Sequence, residues 1–131
     1  RLEPVRPGGT TLDILVVDDD PRVVEASVAM LSGLGHRAHA AAGLAEALPL
    51  SRRVDAVLAD FRLANGENGL ALVAAMRGEM PGLPALLITA EASGEVRSQA
   101  ELAGIDVLAK PASPEAIMAF LARVSVPQVE P

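Results

Sequence analysis

Ile14-Leu15-Val16-Val17-Asp18-Asp19-Asp20-Pro21 changes character at its midpoint, and that change decides the fold. Four aliphatic residues in a row, with nothing polar between them, fit a strand covered on both faces, as in a parallel sheet. Aspartates follow at once, and Pro21 suits the first position of a helix capped by Asp20. The same order of events recurs downstream. An apolar run at 56–59 ends at Asp60, one at 85–88 ends at Thr89, and one at 105–109 ends at Lys110. Residues 36–40 form a weaker run, read as an edge strand.

Helical patterns fill the intervals. Val24, Val28 and Leu31 share a face after Pro21, with Gly35 beyond the expected end. Asn68 and Gly69 open another helix, with Val73, Met76 and Met80 inward. Residues 91–103 are helical but weakly amphipathic. Ser113 and Pro114 open the last helix, with Ile117, Phe120, Leu121 and Val124 at helical spacing. Pro49 is expected to stop the helix near 44–48 early. Strand–helix alternation implies parallel strands joined by right-handed crossovers. The expectation is one α/β domain, doubly wound and flavodoxin-like, a (βα)5 unit with five parallel strands in the order 2-1-3-4-5. Residues 1–11, with two prolines and two glycines, read as a linker or N-terminal extension. The domain is expected over 12–125, with 126–131 as a C-terminal tail.

Composition narrows the chemistry. The chain has 131 residues and no cysteine, which removes disulfides, thiolate chemistry and Cys-based zinc sites. Phe61 and Phe120 are the only aromatic residues, too few for a base-stacking platform. Eleven basic and seventeen acidic residues give a formal charge of −6, which disfavours direct nucleic-acid binding and suits cations or basic partner surfaces. No apolar run approaches the ~20 residues of a membrane span, and no signal-peptide pattern is present, so a cytoplasmic location is expected.

The residues that end the strands carry the function. In open parallel sheets ligands bind outside the carboxyl ends of the strands, where the strand order reverses. With the order 2-1-3-4-5, Asp18, Asp19 and Asp60 meet at that point, with Thr89 and Lys110 beside them. Close carboxylates stay ionised only beside positive charge, and Lys110 supplies one unit. The remaining surplus asks for a hard divalent cation with oxygen ligands, Mg²⁺ first, with Mn²⁺ as its substitute. Such a site can stabilise a phosphoryl group, because phosphoryl transfer is mainly positioning and charge neutralisation. The Thr89 hydroxyl and the Ala90 backbone N–H are further donors.

Val16-Val17-Asp18-Asp19-Asp20, Ala59-Asp60-Phe61-Arg62-Leu63, Ile88-Thr89-Ala90 and Ala109-Lys110-Pro111 together resemble the signature of the response-regulator receiver family of two-component signalling. The resemblance runs from about Leu12 to Val124. It implies that Asp60 is the phosphoacceptor and takes its phosphoryl group from a phosphohistidine on a histidine kinase or histidine phosphotransfer protein. It implies direct Mg²⁺ ligation by Asp19, Asp60 and the Arg62 main-chain carbonyl, with Asp18 acting partly through water. Lys110 would pair with a phosphoryl oxygen, its bond to Pro111 would be a cis-peptide candidate, and Thr89 would turn toward the phosphoryl group. The aspartyl phosphate would then hydrolyse slowly, which makes the domain a phosphoprotein switch rather than a turnover enzyme.

Departures from the family pattern are visible. Val107 stands where many relatives have an aromatic residue three before the lysine, and Leu63-Ala64 replaces the frequent Met-Pro. Asp-Phe-Arg-Leu followed by Asn65-Gly66-Glu67-Asn68-Gly69 resembles the carboxyl-terminal receivers of hybrid sensor histidine kinases, which would attach this cytoplasmic domain to a membrane protein. A small phosphatase of the haloacid-dehalogenase type also uses strand-end aspartates, Mg²⁺, a threonine and a lysine, but it would leave Asp60 without a role. A receiver that serves only as a docking surface is a third alternative, and homodimerisation stays open. His36 and His39 are expected to be exposed, with no partner pattern for metal or catalysis, Arg52 and Arg53 solvated, and the methionines core filling. Arg62 and Glu91 point toward the acceptor and are expected to tune hydrolysis.

Overall fold

The computed structural model describes residues 11–124; the expected linker and tail, apart from Thr11, lie outside the described residues. Five strands alternate with five helices: β1 (Asp13–Val17), α1 (Pro21–Gly33), β2 (Arg37–Ala41), α2 (Leu44–Ala47), β3 (Ala56–Ala59), α3 (Gly69–Glu79), β4 (Ala85–Thr89), α4 (Gly94–Leu102), β5 (Asp106–Ala109) and α5 (Pro114–Val124). All pairings are parallel, and the sheet order is β2-β1-β3-β4-β5 as expected.

The period-2 alternation of the buried strands divides the core into two layers. Ile14, Val16, Ala56, Leu58 and Leu86 face α1 and α5, where they meet Leu31, Ile117, Phe120 and Leu121. Leu15, Val17, Val57, Ala59 and Leu87 face the other way and meet Leu72, Val73 and Met76 of α3 and Val96 and Ala100 of α4. Both faces are covered, which is why the strands read as unbroken apolar runs.

Local signals set the helix ends. Asp20 caps α1 by accepting the Arg22 N–H at 3.0 Å, and this bond holds its carboxyl below the usual carboxylate range. Asn68 accepts the Ala71 N–H at 2.8 Å and Ser93 the Val96 N–H at 3.2 Å. Pro49 ends α2 after one turn, and the chain tightens to a 3₁₀ turn at Leu48–Leu50.

Several expectations need correction. The helix expected over 91–103 starts at Gly94, because Ser93 provides the cap. Met80 leaves α3 as its C-cap and is exposed, as is Met118, so only Met76 is fully buried core filling. The histidines are half-buried and bonded. His36 Nδ1 accepts the Leu12 N–H at 3.0 Å, and His39 Nε2 lies 2.9 Å from Asp13 Oδ1. Asp13 also takes a two-point contact from Arg37, both distances 2.9 Å, so β2 is an edge strand anchored to β1 by side chains. The Arg37 hydrogen bonds, then the His39 bond, hold the Asp13 carboxyl well below the usual range.

Candidate functional site

The site lies at the carboxyl ends of β1, β3, β4 and β5. Val17 and Ala59 are register partners on neighbouring strands, so Asp18 and Asp60 leave the sheet side by side. The Asp60 N–H continues the ladder to the Val17 carbonyl at 3.0 Å, and the Asp18 N–H reaches the Ala41 carbonyl at 3.3 Å. Asp18 Oδ1 accepts the Asp20 N–H at 2.9 Å, which folds the acidic run over the strand end. Thr89 and Ala109 are register partners on β4 and β5, and the Lys110 N–H donates to the Thr89 carbonyl at 3.0 Å.

Lys110 ties the cluster together. Its Nζ donates to Asp18 Oδ2 at 2.9 Å and to Asp60 Oδ2 at 2.8 Å, across 92 and 50 positions of sequence. The Asp18 side chain is 5% exposed, that of Asp60 13% and that of Lys110 24%. Burial alone would lower the ammonium's affinity for its proton, but the bonds and charges of Asp60 and Asp18 outweigh it and raise the Lys110 pKa. The Lys110–Pro111 peptide bond is cis, as the resemblance implied.

The other expected residues surround this core differently. Thr89 is buried, and its Oγ1 accepts the Glu91 N–H at 3.1 Å. Asp19 and Ala90 are exposed at the rim. Arg62 is exposed and pairs with Glu91: its Nε and Nη2 donate to the two carboxylate oxygens, the second at 3.0 Å. Gly69 permits the closest backbone approach in the site. A Cβ there would lie 2.2 Å from the Asp60 carbonyl oxygen and 2.9 Å from Leu87 Cδ1. That requirement was not read from the sequence, although Gly69 at the start of a helix, nine residues after a strand-end aspartate, was visible there.

Among the described residues, no three acidic or histidine side chains stand in an arrangement that would already hold a metal ion. Two carboxylates are joined through the lysine, and the third points outward. The donor set still fits a hard divalent cation: it offers only oxygen ligands, and Asp18, Asp19 and Asp60 carry more charge than Lys110 balances. A groove of about 550 Å³ opens beside Lys110 between α1 and α5, lined by Val23, Met30, Ile88, Pro111 and Ile117. Among the described residues, no helix is long and apolar enough to cross a membrane.

Comparison with known proteins bears on this arrangement. The family model described as the response regulator receiver domain matches residues 14–122. The probable transcriptional regulatory protein TcrX of Mycobacterium tuberculosis is 34% identical over 132 residues, covering 95% of this chain and 56% of that protein. The transcriptional regulatory protein ZraR of Salmonella typhimurium is 37% identical over 103 residues, covering 76% of this chain and 23% of that protein. The chain thus spans about half of one such relative and a quarter of the other. The chemotaxis protein CheY4 of Vibrio cholerae superposes with a TM-score of 0.78 at 28% identity, over 88% of this chain and 99% of that one. A response regulator of Burkholderia pseudomallei, solved with a phosphorylated aspartic acid, a calcium ion and citrate, gives 0.76 at 31%, over 83% and 65%.

Proposed function

The chain belongs to the response regulator receiver domain family of two-component signalling, and on that premise we propose that it accepts a phosphoryl group on Asp60. The observation that carries this reading is the Lys110 ammonium held between Asp18 and Asp60 by two short bonds. An Asp60 oxygen attacks the phosphorus of a phosphohistidine, the P–N bond breaks, and the imidazole leaves with the electron pair and takes a proton. Asp60 is held for attack by its N–H bond to Val17 and by the close approach of Gly69. As charge moves onto the phosphoryl oxygens, Lys110 exchanges its Asp60 contact for one of them. The Thr89 hydroxyl and the Ala90 N–H are the remaining donors within the same rim.

Asp18, Asp19, Asp60 and the Arg62 carbonyl would hold Mg²⁺, with Mn²⁺ as substitute, and the ion would neutralise the phosphoryl oxygens during transfer. The solved Burkholderia relative, with its phosphorylated aspartate and divalent ion, supports this assignment. The donor is a histidine kinase or histidine phosphotransfer protein. Slow hydrolysis of the aspartyl phosphate resets the switch. The domain works in the cytoplasm, either with a regulatory output of the kind its transcriptional relatives carry or as the receiver of a hybrid kinase.

The test is incubation with acetyl phosphate and Mg²⁺, followed by intact-mass measurement of the wild type and Asp60→Asn. The wild type should gain one phosphoryl group and the variant none. Equal labelling of both would reject Asp60 as acceptor. Continuous turnover of a phosphate ester without a labelled intermediate on Asp60 would favour a phosphatase instead.

A further inference from the structure

The loop that follows the acceptor is closed on itself, and its side chains Arg62 and Glu67 each reach another segment, Arg62 to Glu91 and Glu67 to Leu44. Arg62 and Asn68 form an antiparallel bridge; the Leu63 N–H donates to the Glu67 carbonyl at 3.0 Å and the Gly69 N–H to the Phe61 carbonyl at 2.8 Å. At the tip, Asn65 and Gly66 take the left-handed conformation, with φ of 64° and 76°. The Glu67 side chain leaves this loop. Its Oε1 accepts the Leu44 N–H at 2.8 Å, 23 positions away. Leu44 opens α2, whose N-cap is Gly43 and makes no side-chain cap bond, so Glu67 supplies the cap from another loop. Gly43 has extended backbone at φ −170°, which any residue adopts, so what glycine adds there is room for the Glu67 carboxylate. A Cβ at Gly43 would stand 2.7 Å from Glu67 Oε1.

Peptide planarity carries this contact to the site. The Leu63 N–H and the Arg62 carbonyl belong to one trans peptide unit and point in opposite directions. Fixing that N–H on the Glu67 carbonyl therefore fixes the direction of the Arg62 carbonyl. The bonds that close the loop leave this carbonyl unused. We propose that Glu67, seated against Gly43, is a positioning residue that orients the Arg62–Leu63 peptide and thereby sets the affinity of the site for its divalent cation. This inference rests on the cation-assisted reading above. It adds two residues, one of them in the β2–α2 connection, to the machinery that holds the ion.

The experiment is calorimetric titration of Mg²⁺ into the wild type, Glu67→Gln, Glu67→Ala, Gly43→Ala and the Gly43→Ala/Glu67→Ala double variant. Amide hydrogen exchange of residues 62–68 is followed in parallel. Outer partners of metal ligands typically change affinity by a factor of ten or more. Glu67→Ala and Gly43→Ala should each weaken Mg²⁺ binding roughly tenfold and speed exchange at Leu63. Glu67→Gln keeps an acceptor oxygen and should bind as the wild type does. The double variant should be no weaker than either single one, because both break the same contact. Wild-type Mg²⁺ affinity in Glu67→Ala would overturn the inference even if its melting temperature fell, since a merely structural bond moves only the latter. Absence of Mg²⁺ binding in the wild type would instead overturn the cation-assisted reading and this inference with it.

Discussion

Replacing Lys110 by methionine keeps most of the side-chain volume and removes the charge between two largely buried carboxylates. Each carboxylate oxygen lies within 2.9 Å of Nζ, so they face each other across the space the ammonium leaves. At a separation of about 5 Å and an effective dielectric of about 20, two like charges repel by about 3 kcal/mol. Asp60, at 13% exposure, can relieve part of this by turning outward, which brings the expected loss at pH 7 to about 2 kcal/mol. In a domain of this size that is a fall of roughly 8 °C in melting temperature.

The sign of the pH dependence separates this cause from simple loss of packing. Repulsion makes the folded variant hold a proton on the pair more tightly than its unfolded chain does, so its stability deficit is largest at neutral pH and shrinks as pH falls. In the wild type, Lys110 has a raised pKa, so its contribution is fully present below the ordinary lysine value and is lost only as pH rises through the raised one. Urea unfolding of both proteins from pH 4 to 8 makes the comparison. An equal deficit at both ends of that range would refute the electrostatic account.

Gly69→Ala should cost roughly 3 kcal/mol and slow labelling of Asp60, because its Cβ would meet the Asp60 carbonyl oxygen at 2.2 Å; wild-type stability in chemical denaturation would contradict this. Asp13→Asn should lose about 1 kcal/mol near pH 7, since the exposed Arg37 screens most of the pair's value. The Asp13 pKa is lowered, so its contribution is present above the ordinary carboxylate value and fades as pH falls below about 4. Denaturation at pH 7 and pH 3 should show the variant's deficit reduced but still present at the lower pH, because the lowered pKa keeps the folded carboxylate ionised there.

The parts of the molecule that were legible in sequence depend on near neighbours along the chain. Residues 14–17 and 56–59 announce doubly covered strands, Asp20 and Asn68 stand where helices need caps, and Pro49 marks where one must end. The strand order then brings Asp18, Asp60 and Lys110 together, and that much of the site was legible too. Contacts between side chains distant in sequence were not. His36 meets Leu12 across 24 positions and His39 meets Asp13 across 26, so neither carried a periodic signal. Glu67 reads as one more acidic loop residue until α2 is placed beside it. Asp19 could not be separated from Asp18 by residue type; only the turn made by the Asp20 N–H distinguishes the inward carboxylate from the outward one.

The position of the acidic residues within the sheet has a dynamic consequence. Asp18 and Asp60 extend β1 and β3, which have a hydrogen-bonded strand on each side, whereas β2 and β5 are the outer strands. Thermal opening proceeds from the margins of a sheet, where fewer bonds must break. Amide protons at Val16, Val17, Leu58 and Ala59 should therefore be among the last to exchange. Brief fraying of β2, the margin farther from Lys110, would leave Asp60 and Lys110 in place, so a partner could remodel that outer strand without dismantling the pair.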